Sequence, residues 1–451
     1  MTCRTIVVVA LFLCPSAAWA QWNPPAGQWL KSEPTDIRVM TWNVRDGICS
    51  TNTKSEGLNN WTALARIVAS LKPDVLLLQE TGDNSGNGTG GSSDSPAVLT
   101  ATFEQFLYGG AGVTAWVQKY DPNFDMPYIF VSTVSDGFNR NSLLSRYPFV
   151  DLNGDTKATM SDMPFMLADQ YATAGTGGIR GIQWAEIDLP DDVYAGDLVV
   201  GNAHLKAGGT ASDQNDRRLA AQRTAYFIHH FFNGANAGVV DPFNKILDSP
   251  PATSILSPET PVMFGGDLNE DELTNGQKGP AEWITQAAVA GGADGTDRDR
   301  SDMAYDSAVT FFNGSRATFG SSSKLDYICW QDSIAVLRRA FVFNTAEVPQ
   351  VSMPPELIGF NPNPQLASNW ASDHRCVVAD FILPRAVAAC PGDVNGDNQV
   401  TQADLGILLS AFGTCPGDAG YNAAAGGLAG DPCVTQADLG VLLSNFGQNC
   451  N

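Results

Sequence analysis

Six short segments of the chain place polar side chains at the ends of apolar runs. They are Trp42-Asn43, Gln79-Glu80, Asn202-Ala203-His204, Gly266-Asp267-Leu268-Asn269, Leu325-Asp326-Tyr327 and Ser372-Asp373-His374. Strand ends are where ligands bind in α/β proteins and where loops bring remote groups together. We therefore expect the polar residues of these segments to form one site.

Three of the positions carry oxygen donors that suit a hard divalent cation. Asn43, Glu80 and Asp373 offer an amide oxygen and two carboxylates, which are ligand types that Mg²⁺ and Mn²⁺ prefer. The sequence predicts that these three residues bind one of the two ions.

The remaining positions supply groups for proton transfer and for stabilising negative charge. His374 is a candidate general base for a water molecule, and Asp326 is a candidate for fixing its tautomer. Asp267 is a candidate for aligning the attacking water. Asn269 and His204 can donate hydrogen bonds to phosphoryl oxygens as charge develops. These roles together describe metal-assisted hydrolysis of a phosphate ester.

Each segment alone has an ordinary structural interpretation, such as a turn for Gly-Asp-x-Asn or a surface pair for Asp-His. Their order along the chain, however, resembles the exonuclease–endonuclease–phosphatase superfamily over roughly residues 37–384. That superfamily includes deoxyribonuclease I-like nucleases, abasic-site endonucleases, neutral sphingomyelinases and inositol polyphosphate phosphatases. The resemblance implies an α/β (α+β) fold, a four-layer sandwich of two mixed β-sheets flanked by helices. It also implies the site roles given above.

Two details point to branches of the superfamily. The histidine of Asn202-Ala203-His204 resembles the deoxyribonuclease I, sphingomyelinase and phosphatase branches, and Arg45 resembles the deoxyribonuclease I pattern. We therefore take Arg45 and Asn202 as candidate substrate-binding residues, although Arg45 can equally be a surface arginine. The stretch from His204 to Arg223 resembles bacterial predicted extracellular nucleases. Its cations form either a basic rim or ordinary helix-surface charge; they are Lys206, Arg217, Arg218 and Arg223.

Short apolar runs and a few amphipathic segments predict the elements that carry these residues. The expected helices are Trp61–Leu71 and Asp213–Phe232, and we expect His229 and His230, near the end of the latter helix, to be structural residues. Many strands with few intervening helices predict stacked sheets covered by helices. The expected strands are Ile37–Val44, Val75–Gln79, Ser142–Ser145, Ile182–Leu189, Leu198–Leu205, Val262–Phe264, Leu325–Trp330 and Cys376–Leu383.

The charge of the chain limits its partners. Over 451 residues the formal net charge is -22, so the surface repels nucleic acid at long range. This excludes tight, non-specific DNA binding but not phosphodiester chemistry. A polyanionic substrate needs a local basic site or screening by metal ions.

Residues 1–20 have the pattern of a signal peptide. Arg4 precedes the apolar run Ile6 to Leu13, and Ala18-Trp19-Ala20 is a small-x-small cleavage pattern. The apolar run is short for a membrane anchor. We therefore expect a secreted protein, extracellular or periplasmic, cleaved near Ala20.

The cysteines suggest a stapled C-terminal module. Of nine cysteines, Cys390, Cys415, Cys433 and Cys450 lie in the last 62 residues, a density that predicts two disulfides there. Cys329 and Cys376 either pair with each other or, with Cys49, are buried thiols.

Residues 386–451 contain an internal duplication. Residues 401–413 recur as 435–447, with eleven of thirteen positions identical at an offset of 34 residues. Before the first copy lies an EF-hand-type loop, which resembles a type I dockerin and implies bound Ca²⁺. Asn398 replaces the usual glycine in this loop. The predicted calcium ligands are Asp393, Asn395, Asp397, Gln399 and Asp404.

The second loop departs from this pattern. Ala429 and Gly427 stand where ligands are expected and only Asp431 matches, so we predict one good and one degenerate calcium site. A cohesin-like partner, cell-surface retention and simple stabilisation all remain open as roles for the module. Dockerins are frequent on enzymes of polysaccharide catabolism, but residues 37–384 show no glycosidase pattern.

Three functions fit the sequence. The first is a secreted endonuclease, or broader phosphodiesterase, that hydrolyses DNA or RNA with Mg²⁺ or Mn²⁺. The second is a sphingomyelinase or phospholipase C-like enzyme, or another small phosphoesterase, which the acidic surface favours mildly. The third is a non-catalytic binding module tethered by its dockerin. The complete set of acid, base and metal-binding residues argues against this last function.

Overall fold

The chain folds into two compact units. The described residues of Met1–Asp188 and Leu198–Leu383 form the first unit, and those of Leu189–Asp197 and Pro384–Asn451 form the second. A computed structural model describes residues 22–49, 53–82, 94–135, 139–152, 159–162, 182–228, 256–274, 280–281, 303–386, 390–416, 418–422, 424–426, 428–429 and 433–450. The predicted signal peptide therefore lies outside the described residues.

The first unit contains thirteen described strands in two mixed sheets. In chain order they are β1 Ile37–Asn43, β2 Val75–Gln79, β3 Tyr128–Val131, β4 Ser142–Ser145, β5 Met160–Asp162, β6 Ile182–Ile187, β7 Leu198–His204, β8 Val262–Asp267, β9 Met303–Tyr305, β10 Val309–Thr310, β11 Asp326–Gln331, β12 Val336–Phe343 and β13 Cys376–Ile382. The seven-stranded sheet has the order β10-β12-β13-β1-β2-β4-β3, and the six-stranded sheet has the order β5-β6-β7-β8-β11-β9. The predicted class of two mixed β-sheets flanked by helices is confirmed.

The helices of the first unit lie between these strands in the chain. They are α1 Asn60–Leu71, α2 Pro96–Tyr108, α3 Val117–Tyr120, α4 Ala211–Phe227, α5 Pro355–Ile358 and α6 Ala367–Ala371. The side chain of Asn59 caps α1 by accepting a hydrogen bond from the Thr62 amide. Apolar residues of α1 recur at helical spacing and join Met40 and Trp42 of β1 in one buried core. This core fixes β1, the strand that ends at Asn43.

The sequence located the long buried strands and missed most of the short ones. The predicted ranges for β2 and β4 are those observed, whereas β3, β5, β9, β10 and helix α2 were not predicted. Strand β12 was missed because a bulge between Leu337 and Arg339 breaks its alternation of buried and exposed residues. The predicted helix Asp213–Phe232 begins at Ala211, and His229 and His230 lie outside the described residues.

The two sheets approach closely at β8. A Cβ atom on Gly265 would lie 2.9 Å from Leu77 Cδ1 of the other sheet. Gly266 has φ +150°, and a Cβ atom there would lie 1.9 Å from the backbone oxygen of Ala203 on the neighbouring strand β7. A Cβ atom would overlap a neighbour at either position, and the φ angle of Gly266 is also one that favours glycine. The Gly-Gly pair before Asp267 is therefore required by backbone packing.

The second unit contains two equivalent short helices, α7 Gln402–Ser410 and α8 Gln436–Ser444. Thr401 and Thr435 are their N-cap residues, and each forms a capping box with the aspartate three residues later. The halves exchange backbone hydrogen bonds, from Gly413 to Val434 and from Gly447 to Val400. The predicted pair of disulfides is also confirmed, as Cys390–Cys450 and Cys415–Cys433.

The suggested Cys329–Cys376 bridge does not form. Cys329 is on β11 of the six-stranded sheet and Cys376 is on β13 of the seven-stranded sheet, and both are buried free thiols. Burial raises the pKa of each well above its ordinary value. These two cysteines therefore act as small apolar core residues.

The close approach at β8 can be tested by substitution. Gly266→Ala should lower the free energy of unfolding by roughly 2–4 kcal/mol, because the new methyl group overlaps the Ala203 backbone. Gly209→Ala is the matched control, since a Cβ atom there meets nothing within 4 Å. Urea unfolding followed by tryptophan fluorescence measures both. Equal midpoints for the two variants would contradict the packing argument.

Candidate active site

Three neighbouring strands of the six-stranded sheet place three site residues side by side. In the parallel pair β7–β8, His204 lies opposite Asp267. In the antiparallel pair β8–β11, Asp326 lies opposite Asp267. The row His204, Asp267, Asp326 is thus fixed by strand register, with Asp267 in the middle. All three side chains are buried.

The seven-stranded sheet adds residues from the ends of its parallel pair β1–β2. Asn43 ends β1 and pairs in register with Gln79, so that Glu80 follows at the same edge. Glu80 and Arg45 have positive φ angles of 55° and 43°, as does Asn269, which follows β8 with φ 55°. Strained backbone of this kind clusters at functional sites.

The Asp267 carboxylate is where the two sheets meet. Its Oδ2 accepts a 3.0 Å hydrogen bond from Asn43 Nδ2, which also donates to Glu80 Oε1 at 3.1 Å. The same Oδ2 lies 3.4 Å from His204 Nε2 and 3.6 Å from His374 Nε2. The structure therefore brings together five of the predicted residues: Asn43, Glu80, His204, Asp267 and His374.

His374 is oriented from both sides. Its Nδ1 lies 2.8 Å from Asp326 Oδ2, which fixes the ring so that Nε2 points toward Asp267. Ser372 Oγ donates to the backbone oxygen of Asn43 and accepts from the His374 amide. The segment that carries His374 is thereby tied to the end of β1. Asp326 is the partner of His374 that the sequence predicts.

The protonation of the pair follows from its burial and its charges. Burial lowers the pKa of His374, but Asp326 and Asp267 more than offset this and raise the pKa to about 10. Burial raises the pKa of Asp267 to about 7, and the charge of Asp326 adds to the effect while His374 opposes it. Without a bound cation His374 holds a proton at neutral pH. A base must lose that proton before it can accept one from water.

The donor set fits a divalent cation. Ligand atoms of Asp267, Asp326 and His374 lie within 4.8 Å of one another. Asp326 Oδ1 is buried without a hydrogen-bond partner. Glu80 is linked to Asp267 by Asn43 Nδ2, which donates to both carboxylates. A bound cation would neutralise charge on phosphoryl oxygens and, by repulsion, lower the pKa of His374. The residues that can hold it are Asn43, Glu80, Asp267 and Asp326.

Asp373 and Arg45 lie beside this cluster. Asp373 Oδ2 is 3.5 Å from Arg45 Nε, and 39% of the Asp373 side chain is exposed, so the structure pairs it with Arg45. Arg45 is the more exposed of the two, at 63%.

Asn269 is held at the end of β8 by two hydrogen bonds. Its side-chain Nδ2 donates to the Leu205 backbone oxygen, and its backbone N–H donates to Asp267 Oδ1.

The expectation that Asn202 binds substrate is not supported by its position. Asn202 is fully buried, and its Nδ2 donates to the backbone oxygens of Leu78 and Ser142 and to Gln183 Oε1. Its Oδ1 accepts from Gln79 Nε2 at 2.8 Å. These bonds join the two sheets beneath the site and use the whole amide. Asn202 therefore acts as a positioning residue.

Two cations of the stretch from His204 to Arg223 are paired with acids. Arg217 is buried, and its Nε donates to Glu270 Oε2 at 2.6 Å. Lys206 Nζ lies 3.4 Å from Asp213 Oδ1, so its charge is matched as well. The side chain of Arg223 lies outside the described residues. Buried ion pairing, which spacing alone does not reveal, accounts for Arg217.

Two residues near His374 were not singled out from the sequence. Thr318 Oγ1 accepts hydrogen bonds from the amides of Leu325 and Asp326. The ring of Phe319 lies 4.8 Å from the His374 ring and remains 38% exposed. No sequence signal marks either residue, because both lie in a loop that only the tertiary fold brings to the site.

In the second unit the predicted calcium residues converge on one loop. Ligand atoms of Asp393, Asp397 and Asp404 lie within 4.8 Å of one another. Gly396 and Asn398 both have positive φ, so Asn398 adopts the conformation expected of the glycine it replaces. Asn395 donates to Asp397 Oδ2, and the Gln399 amide donates to Asp397 Oδ1. In the second loop, Gly427 and Asp431 lie outside the described residues.

Solved structures with a similar arrangement come from several organisms. An endonuclease/exonuclease/phosphatase from Beutenbergia cavernae DSM 12333 is 18% identical, with coverage of 77% of this chain and 72% of that chain and a TM-score of 0.42. One from Bacteroides vulgatus is 14% identical, covering 77% and 99%, with a TM-score of 0.41. The human Nocturnin catalytic domain with bound sulfate anion is 13% identical, covering 77% and 95%, with a TM-score of 0.41.

The family assignment comes from a separate comparison. A search of curated protein sequences found no significant match. Residues 40–374, most of the chain, match the Endonuclease/Exonuclease/phosphatase family, and this range spans every segment of the site from Asn43 to His374. The chain therefore belongs to the Endonuclease/Exonuclease/phosphatase family and is a hydrolase of phosphoric ester bonds.

Proposed function

We propose that the protein is a secreted, metal-dependent endonuclease that hydrolyses DNA or RNA. The observation that carries this proposal is the cluster around Asp267, which joins a histidine–aspartate pair to the carboxylate and amide groups of a cation site. Such a cluster suits attack of water on a phosphodiester. Mg²⁺ or Mn²⁺ is the proposed cation because most of the donors are oxygen atoms.

The residues act in the following way. Once neutral, His374 takes a proton from the attacking water, and Asp326 holds the ring in position through Nδ1. Asp267, 3.6 Å from His374 Nε2, aligns that water. His204 and Asn269 donate hydrogen bonds to the phosphoryl oxygens. Glu80 and Asn43 would hold the cation, which would supply charge neutralisation at the phosphate.

Arg45 is the proposed contact to a neighbouring phosphate of the substrate. Its side chain is 63% exposed, and its partner Asp373 is also partly exposed. In a chain with net charge -22, such a local cation lets a polyanion approach the site. Asp373, predicted as a metal ligand, remains a candidate for that role when a cation is bound.

A smaller phosphoester is the second candidate substrate. Among the described residues of α4, Arg217 was a candidate for either a basic rim or helix-surface charge. It is buried and paired with Glu270. This finding and the acidic surface favour a sphingomyelinase or phospholipase C-like activity, or hydrolysis of another small ester, over binding of long nucleic acids. A non-catalytic role fits less well, because the whole cluster is intact.

The substrate can be assigned with one panel of assays. Plasmid DNA, RNA, sphingomyelin and bis-(p-nitrophenyl) phosphate are incubated with the mature protein in Mg²⁺, Mn²⁺, Ca²⁺ or EDTA. We expect nicking of plasmid that EDTA abolishes and that His374→Ala and Asp267→Ala each reduce by about 10³-fold or more. Glu104→Gln, an exposed carboxylate on α2, is the control and should keep full activity.

The other outcomes of this panel are equally specific. Hydrolysis of sphingomyelin or of the small ester alone would move the protein to the second candidate class. Full activity in His374→Ala, with the fold intact by circular dichroism, would contradict the site assignment. Inactivity of the wild type on all four substrates would contradict the endonuclease proposal.

We further propose export of the chain. The support is the pattern of Arg4, the apolar run and Ala18-Trp19-Ala20 in residues 1–20. In the part of the chain that the structure describes, no helix has the length and apolarity needed to cross a membrane. N-terminal sequencing of the protein from a culture supernatant or periplasmic extract should begin at Gln21. Recovery of the intact Met1 terminus from the cell interior alone would overturn this proposal.

The second unit is proposed as a calcium-binding, dockerin-like module. Its support is the convergence of Asp393, Asp397 and Asp404 and the duplicated capping boxes. Both disulfides join cysteines of this unit. A cohesin-like protein or a cell-surface component is its proposed partner.

Calorimetric titration tests the calcium proposal. In an Asp267→Ala background, which weakens the active-site cation site, the mature protein should bind one Ca²⁺ tightly. Asp393→Ala should abolish that binding, because it removes the first carboxylate of the loop. Asp418→Asn, an aspartate of the same unit outside both loops, should leave it unchanged. Equal binding in Asp393→Ala and its parent would refute the assignment.

A further inference from the structure

We propose that a pocket at the edge of the seven-stranded sheet away from Asn43 and Glu80 binds a small organic anion. The ligand class is one compact anionic group on a short apolar body. The pocket has a volume of about 270 Å³ and is lined by Leu30, Lys31, Ser32, Pro34, Leu71, Lys72 and Arg146. It is independent of the hydrolytic site and of the proposed substrate.

The strand directions place this pocket far from the catalytic cluster. Lys31 precedes β1, and Lys72 lies between α1 and β2, whereas Asn43 and Glu80 stand where β1 and β2 end. Arg146 follows β4, whose last residue Ser145 pairs with Val75 at the start of β2. Five residues of strand separate the two edges, about 16 Å. One small ligand cannot span both sites.

The charges on the pocket wall are unusual for this chain. Acidic residues number 48 against 26 lysines and arginines, yet the described residues lining the pocket include three of the cations and no carboxylate. Lys31 and Arg146 both pair with Asp74. Lys31 Nζ lies 2.6 Å from Asp74 Oδ2, and Arg146 Nη1 lies 2.6 Å from Asp74 Oδ1. Asp74 is fully buried behind them. Asp74 thus serves two cations of the wall, and Asp125 also interacts electrostatically with Arg146.

The third cation is balanced but accessible. Lys72 Nζ lies 3.0 Å from Asp121 Oδ2, with 34% of the lysine side chain exposed. Arg146 is 44% exposed, so both can turn toward a ligand, whereas Lys31 is 13% exposed and fixed by Asp74 and the Asp36 backbone oxygen. A rigid cation with two adjustable ones suits a compact anionic group.

Apart from Ser32, the rest of the wall is apolar, and the space is small. Leu30, Pro34 and Leu71 supply hydrocarbon surface next to the three cations. The volume is near the lower end of the range for small-molecule pockets, which fits a ligand of one ring or a short chain. A polynucleotide is a poorer fit because a volume of about 270 Å³ holds only a small ligand. The apolar surface adds affinity that a bare inorganic anion cannot use.

Three probes separate the contributions of charge and apolar contact. Benzenesulfonate carries both features, inorganic sulfate carries the charge alone, and benzenesulfonamide carries the ring without the charge. Binding to the mature protein in EDTA is measured by calorimetry or ligand-observed NMR. We expect saturable binding of benzenesulfonate at one site, at least tenfold tighter than binding of either other probe. Raising the salt concentration should weaken it.

Variants locate the bound probe. Arg146→Gln and Lys72→Gln should each weaken benzenesulfonate binding about tenfold, which corresponds to about 1.4 kcal/mol. Arg146→Gln leaves Asp74 paired with Lys31, so the fold should survive, and near-ultraviolet circular dichroism checks this. Arg45→Gln, at the hydrolytic site, is the control and should bind like the wild type.

Several results would overturn the proposal. They are absence of saturable benzenesulfonate binding, equal affinity for benzenesulfonamide, or unchanged affinity in both Arg146→Gln and Lys72→Gln. Loss of binding in Arg45→Gln alone would place the probe at the hydrolytic site and refute the pocket. Equal affinity for sulfate would reduce the site to a simple anion site and refute the proposed ligand class. None of these results depends on whether the protein cleaves nucleic acid.

Discussion

The structure of the site depends on one requirement, that two sheets present their strand ends to each other across the Asp267 carboxylate. Asn43 reaches Asp267 from the seven-stranded sheet, and His374 from the same side reaches Asp326 on the other sheet. Each contact crosses the interface between the sheets. Because both carboxylates are buried, losing either contact would remove part of what compensates a desolvated charge. The alignment of the sheets is thus linked to the same groups that form the candidate site.

The packing beneath the site makes that alignment possible. Glycines on β8 allow the sheets to approach, and the Gln79–Asn202 amide pair holds them by hydrogen bonds that neither sheet can satisfy alone. These cross-sheet bonds fix how the sheets sit against each other, while Gln79 Oε1 is buried without a hydrogen-bond partner. Residues with positive φ at Glu80 and Asn269 then turn the chain away from the strands and leave the side chains at the open end. Stability and catalytic geometry therefore rest on the same few residues.

Cations are scarce in this chain, and several are used for internal pairing. Arg38 forms a bidentate pair with Asp380, and Lys324 pairs with Asp306, both fully buried or nearly so. Arg217 is consumed in the same way by Glu270. Among the described residues, such pairs leave fewer cations for an anionic ligand, which makes a bound metal ion important for any phosphodiester substrate. It also gives weight to Arg45 and to the pocket formed around Lys31, Lys72 and Arg146.

The sequence by itself determined the class of fold, the long buried strands and the identities of His374, Asp326, Asp267 and Glu80, because local patterns of apolar and polar residues mark strand ends. The tertiary structure decided what each polar residue contacts. Asn202 stands in a motif beside His204 but faces the other sheet, and Arg217 has the spacing of surface charge but is buried. Strand β12 was hidden by its bulge. The hydrogen-bond and ion-pair partners of these side chains are distant in sequence, so spacing along the chain cannot reveal them.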